Sequence, residues 1–83
     1  MLSMPDQETY GEVRLRVSEL VDQRELSIQE FAERAGIAYG TALGLYRGAT
    51  TRIDLETLAG VCHALSVSPG DIFDHRYPTV EAA

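Results

Sequence analysis

Apolar side chains recur along this chain in short helical stripes separated by turn-forming residues. Val13, Val17, Leu20 and Val21 fall three and four apart, which predicts a first helix from about Glu12 to Arg24. Ser27 opens a second. Its hydroxyl stands where an N-cap belongs, Glu30 three residues on can reach back to the cap's own N–H, and Leu26 and Phe31 occupy the staple positions. Gly36 follows the apolar pair Phe31 and Ala35 and can take the positive φ that ends a helix. A new periodic run starts at Ile37, passes through Ala38, Thr41, Ala42 and Leu45, and is closed by Gly48. Asp54 reads as the N-cap of a fourth helix, with Ile53 and Leu58 as its staple and Leu55, Leu58, Ala59, Cys62 and Leu65 as its apolar face. Ser68 caps a short fifth helix that has Pro69 at the first position, Asp71 three residues after the cap, Val67 and Ile72 as staple, and an end near Asp74.

Five short helices with brief connections predict an all-α domain with neither a strand pair nor a repeat. Residues 1–10, with Pro5 and polar neighbours, read as a flexible N-terminal arm, and residues 11–74 as the helical domain. Residues 75–83 read as a C-terminal extension, in which Tyr77 and Val80 favour extended backbone and Pro78 interrupts it. A length of 83 residues with 45% hydrophobic side chains suits one modest core. No apolar run approaches the roughly 18 residues needed to cross a bilayer. The start MLSMPDQETY resembles no secretion signal, so a cytoplasmic protein without membrane contact is expected. Cys62 is the single cysteine, which rules out an internal disulfide, and its apolar neighbours predict a small buried hydrophobe.

Charge changes the picture through its distribution. The net charge of −6 argues against a polyanionic partner, because affinity for nucleic acid comes largely from cations that displace counterions. Residues 1–33 carry eight acids against Arg14, Arg16 and Arg24, a net −5, and residues 54–83 carry five acids against Arg76, a net −4. Between them, residues 34–53 hold Arg34, Arg47 and Arg52 and no acid. That positive window coincides with the third helix and the loop after it, as an electrostatic footprint for DNA would. Every cation is arginine, the side chain suited to forked contacts with phosphate and guanine.

The stretch SIQEFAERAGIAYGTALGLYRG at 27–48 has the spacing of a DNA-reading helix-turn-helix, and RIDLETLAGVCHALSVSPGDIF at 52–73 carries ID-LETL, C-AL and SPGD elements. On these residues the chain resembles the XRE family, the phage Cro and repressor type, over about residues 13–73. The resemblance implies a five-helix, lambda-repressor-like domain whose third helix, about 38–47, enters the major groove, in a homodimer on a two-fold symmetric operator. Carried over, the family's cap serine falls on Ser27, its turn alanine and glycine on Ala35 and Gly36, and its closing glycine on Gly48. The reading positions depart from the pattern. Ile28 and Ala38 stand where many members carry glutamine and a serine or threonine, Ala49 and Thr51 where relatives often carry lysine, and Tyr46 where many carry an acid. Tyr46 is therefore expected to pack or to hydrogen-bond.

If Ala38, Thr41 or Ala42, and Leu45 face inward, helical geometry turns Gly40, Leu43, Gly44 and Arg47 outward. Two glycines inside one helix cost roughly 1 kcal/mol each relative to alanine, so either a close approach by DNA or by a protein surface favours them or tertiary packing tolerates them. The candidate DNA-binding set is Tyr39, Gly40, Thr41, Leu43, Gly44, Arg47, Arg52 and Arg34. Leu43 would lie against thymine methyls and Arg47 on guanine or phosphate. Thr41 has an alternative in a hydrogen bond to a carbonyl one turn back.

Other chemistry finds little support. His63 and His75 are twelve apart with no ligand spacing beside them, so no metal site is expected. Glu30 and Glu33 fall on a solvated face, SPGD is a helix cap, and no catalytic constellation or phosphate loop emerges. The expectation is a non-enzymatic, cofactor-free, sequence-specific regulator of double-stranded DNA, a repressor by its resemblance. The alternative is a protein-interaction or antitoxin-like module on the same scaffold with weakened DNA binding.

Overall fold

Residues 10–76 are described in the computed structural model. Strand β1 (Glu12–Leu15) is followed by helices α1 (Val17–Gln23), α2 (Ile28–Ala35), α3 (Tyr39–Arg47) and α4 (Leu55–Leu65), a single 3-10 turn (Pro69–Asp71) and strand β2 (Phe73–Arg76). The caps read from the sequence form as expected. The Ser27 hydroxyl accepts the Glu30 N–H at 3.0 Å while the Glu30 carboxylate accepts the Ser27 N–H at 2.8 Å, a complete capping box. The Asp54 carboxylate accepts the Thr57 N–H at 2.8 Å, and Asp71 binds both the N–H and the hydroxyl of Ser68.

All four helices end in one way. A residue in the left-handed region follows the last turn, and the next N–H bonds back to a carbonyl five residues earlier: Leu26 to Val21, Ile37 to Ala32, Ala49 to Gly44 and Val67 to Cys62. The left-handed residue is Gly36 or Gly48 at two ends, but Glu25 and Ser66 at the other two.

The core gathers Val17, Leu20 and Val21 of α1, Phe31, Ala32 and Ala35 of α2, Ala42 and Leu45 of α3, Val61, Ala64 and Leu65 of α4, and Ile72. The staple residues Leu26, Ile53, Leu58 and Val67 pack against it. Two helices make the tightest contact. A Cβ at Gly60, mid-way along α4, would run into the Ala35 carbonyl oxygen at the end of α2.

Several expectations are corrected. The domain is helical but not all-α: among the described residues there are four helices in place of five, and a two-stranded antiparallel sheet that pairs Glu12 with Arg76, Val13 with His75, Arg14 with Asp74 and Leu15 with Phe73. Glu12–Leu15 alternates polar and apolar with a period of two, so it extends and pairs with a segment some sixty residues away instead of starting α1. Val13 is 61% exposed and not part of the α1 stripe. The turn at Pro69–Asp71 stops short of a fifth helix because Phe73–Arg76 is taken up by the sheet. On α4 the inward arc is centred on Val61 and Leu65, which leaves Leu55 81% exposed and Ala59 exposed. Cys62 is half-buried, and burial pushes its thiol pKa up. The proposed arm up to Thr9 and the residues Tyr77, Pro78 and Val80 lie outside the described residues. Among the described residues, no helix is long and apolar enough to cross a membrane.

Gly60→Ala should cost about 1–3 kcal/mol despite the better helix propensity of alanine, because the helices must part. Urea unfolding measures it, and parental stability would show that the crossing has slack. Hydrogen bonds from the Ser27 backbone and hydroxyl hold Glu30 below the usual carboxylate range, and bonds from the Thr57 side chain and backbone do the same for Asp54. A depressed folded pKa contributes stability that is present at neutral pH and is lost as pH falls through the folded value. Thermal melts should therefore show a decline in acid that is smaller in Glu30→Gln; an equal decline would mean that the cap is not linked to protonation.

Candidate nucleic-acid interface

The interface is built on α3 and the connections at its two ends. The box at Ser27 fixes where α2 begins, and Gly36, at φ +70°, lets the chain reverse in one residue. Ile37 packs against the core, and α3 starts after Ala38. Ala42 and Leu45 anchor α3 inward. Its outer face is then set: Tyr39 is 53% exposed, Gly40, Thr41 and Arg47 are exposed, and Leu43 and Gly44 are half-buried. Between Thr41 and Ala42 as the inward residue, the structure selects Ala42; Thr41 and Ala38 both face out, and Thr41 makes no side-chain hydrogen bond to the preceding turn.

The two glycines inside α3 differ. A Cβ at Gly44 would stand 3.3 Å from the Thr50 hydroxyl, so the chain's own loop crowds that position. A Cβ at Gly40 would meet nothing within 4 Å, so the fold does not itself require glycine there. Among the described residues no side chain caps α3, which leaves the N–H groups of its first turn without a side-chain acceptor there.

Tyr46 behaves as expected. Its ring packs against the core, and its hydroxyl donates to Asp22 Oδ1 at 2.8 Å, tying α3 to α1. That hydrogen bond raises the tyrosine pKa, so the bond is intact throughout the neutral range. Asp22 was not identified from the sequence, since nothing local marks its long-range partner.

The arginines sort into two groups. Arg14, Arg16 and Arg76 pair with Glu12, Glu19 and Asp74 at 3.4, 2.9 and 3.2 Å, and Arg24 donates to the Leu20 carbonyl. Arg16 also donates to the Asp71 carbonyl, bracing the sheet, a role the sequence does not signal. Among the described residues, none of the ion pairs involves Arg34, Arg47 or Arg52, and all three are exposed. Arg34 sits in the last turn of α2, Arg47 in the last turn of α3 and Arg52 in the loop that follows.

Two helices joined at a left-handed glycine, with the second exposing a face beside arginines that stand outside the ion pairs of the described residues, define a helix-turn-helix. Residues 16–76 match the Cro/C1-type HTH DNA-binding domain, and the chain belongs to that family. It is 34% identical, over 62 residues, to the uncharacterized HTH-type transcriptional regulator YozG of Bacillus subtilis, covering 75% of this chain and 74% of that protein. Among solved structures it is similar to the master regulator for biofilm formation SinR in complex with DNA, with a TM-score of 0.62 and 27% identity over 66% of this chain and 87% of that one. It is also similar to the restriction-modification controller protein C.AhdI from Aeromonas hydrophila, with a TM-score of 0.62 and 25% identity over 68% and 83% of the two chains.

Gly40→Ala should stabilise the fold by up to about 1 kcal/mol, since alanine is the better helix former and the space is open, and should weaken DNA binding. Melting and fluorescence anisotropy together test this. Unchanged DNA affinity would mean that no partner approaches the backbone at position 40.

Proposed function

We propose that this helix-turn-helix DNA-binding transcriptional regulator acts as a repressor, laying α3 in the major groove of a two-fold symmetric site, one copy to each half. Arg34, Arg47 and Arg52 hold phosphates together with the uncapped N–H groups at the start of α3. Tyr39, Gly40, Thr41 and Leu43 meet base edges, with Leu43 and the bare backbone at Gly40 favouring close apolar contact with thymine methyls. Gly44 contributes the small profile that admits Thr50 beside the helix.

The observation that carries this reading is the separation of cations. A protein of net charge −6 binds a polyanion best where positive charge is least compensated. Among the described residues four arginines stand outside the ion pairs, and apart from Arg24, which donates to the Leu20 carbonyl, they flank the reading helix: Arg34 in the last turn of α2, Arg47 in the last turn of α3 and Arg52 in the loop after it. A protein-interaction role on the same scaffold is not favoured, because family membership and these arginines point together to DNA.

The direct test is selection of bound sequences from a random duplex library at low salt, alongside fragments of the protein's own promoter. Recovery of a palindromic consensus is the expected result, and failure to retain any duplex would end the proposal. Within it, Arg47→Ala should weaken specific binding by about 1–3 kcal/mol if the side chain reads guanine. Arg34→Ala and Arg52→Ala should instead weaken all duplexes alike and lower the log–log salt slope by about 1 each. Anisotropy titrations over a salt series separate the two behaviours; a slope untouched by either variant would remove those side chains from the phosphate contacts.

A further inference from the structure

The two-stranded sheet leaves one edge of β1 without a partner. The Arg16 N–H bonds to the Ile72 carbonyl at 2.7 Å, continuing the β1–β2 ladder, and antiparallel pairing alternates. Glu12 and Arg14 therefore turn their backbone groups toward β2, whereas Val13 and Leu15 turn theirs to the outer edge. Among the described residues, no hydrogen bond outside the ladder reaches the Val13 or Leu15 backbone. Open clefts of about 540 and 350 Å³ run along this edge, between Val13 and Leu15 on one side and Gly48 and Thr50 on the other.

We infer that a second copy of this chain docks antiparallel along the outer edge of β1, centred on Val13, so that Glu12 of each copy faces Arg14 of the other. Charge selects the occupant and the register. With Val13 opposite Val13 of the second copy, the flanking non-hydrogen-bonded positions, where side chains stand closest, hold Glu12 against Arg14 twice over. A shift of the centre by one residue keeps the backbone pairing but sets Arg14 against Arg14, or Glu12 against Glu12. A further shift, to Leu15, sets Arg14 against Arg16. Only the register on Val13 makes every charged pair opposite.

The two Glu12–Arg14 ion pairs within the separate copies, each at 3.4 Å and half-exposed, are exchanged for two between copies. Val13, 61% exposed in the single chain, meets its own counterpart. The outer edge of β2 is a poorer choice, because its matched register would centre on His75, whose ring already contacts the Tyr10 carbonyl at 2.9 Å.

This contact deepens the proposed reading by supplying the two-fold axis that paired reading helices need. The axis would pass beside the loop that carries Thr50 and Arg52. Four residues a side bury far less than the roughly 800 Å² per partner of a stable interface, so pairing is weak in free solution and strengthens when both copies share one duplex.

Charge reversal tests it without DNA. Glu12→Arg and Arg14→Glu each place like charges opposite one another, so each variant alone should raise the dimer dissociation constant by about 10- to 100-fold. Mixed in equal amounts they restore both opposite pairs, and a heterodimer should return in sedimentation equilibrium at high micromolar concentration. Neither variant keeps the intrachain pair, so rescue by mixing has no explanation in the single chain. In the parent protein, exchange of the Val13 amide should slow as concentration rises. A parent that stays monomeric, variants that dimerise undiminished, or a mixture that stays monomeric would each overturn the inference. Circular dichroism confirms that the variants are folded. The DNA reading stands or falls separately, because retention of duplex by the parent depends on Arg34, Arg47 and Arg52, which these variants leave in place.

Discussion

The position of the reading helix rests on one backbone contact, the close crossing of α4 over the C-terminal turn of α2. Gly60 lies against the Ala35 carbonyl with no room for a methyl group. Ala35 is the last residue of α2, Gly36 reverses the chain directly after it, and α3 begins three residues later. Anything that moved the end of α2 away from α4 would swing the start of α3 with it. Small residues at this point, Ala32 and Ala35 on one side and Gly60 and Ala64 on the other, let the helices close without side-chain adjustment, and interiors packed to crystal-like density do not flex to absorb an error there. The Tyr46–Asp22 bond fixes the other end of α3 against α1. The outer face of α3 is thus held at both ends by groups that lie off that face.

Electrostatics works by segregation. The acids are spread over α1, α2, α4 and the sheet, where they also hold cations: Glu12, Glu19 and Asp74 each take an arginine. These exposed pairs add little stability individually. Their effect is to engage Arg14, Arg16 and Arg76 with carboxylates, while Arg34, Arg47 and Arg52 stand outside the ion pairs of the described residues. The sheet face shows the same economy, with Glu12 opposite Arg76 and Arg14 opposite Asp74 across the strands, so that charges alternate both along and between β1 and β2.

Local signals in the sequence were sufficient for most of the helices. The Ser27 box, the Asp54 cap and the glycines at 36 and 48 involve residues within five positions of one another, and each is present. What failed was non-local. The pairing of Glu12–Leu15 with Phe73–Arg76 spans nearly the whole chain, and β1 is only four residues long, too short for its alternation to outweigh a helical continuation into Val17. The ends at Glu25 and Ser66 carry no local signal in the sequence, because their left-handed backbone is held by the hydrogen bonds of the turn and not by glycine. The outer face of α3 was half legible: periodicity put Ala42 and Leu45 inside, but whether Thr41 pointed in or out depended on where the helix began, and Ala38 as an uncapped start turned Thr41 outward.

That uncapped start bears on how specificity could arise. A helix that offers Tyr39, Gly40, Thr41 and Leu43 has few side chains able to make bidentate hydrogen bonds to bases, and each such pair contributes roughly 1–3 kcal/mol of discrimination where it exists. Recognition by one copy must then lean on methyl contacts, groove shape and backbone N–H groups, which discriminate less per position. In the proposed dimer, two copies on one duplex would multiply those modest preferences, since the second would bind at the effective concentration set by the first. A weak strand-to-strand contact is enough for this purpose, because it only has to fix spacing and two-fold orientation. Within that arrangement a stronger dimer would add affinity for every duplex without adding discrimination, whereas a correctly registered weak one rewards only sites whose half-spacing matches the distance between the two α3 helices.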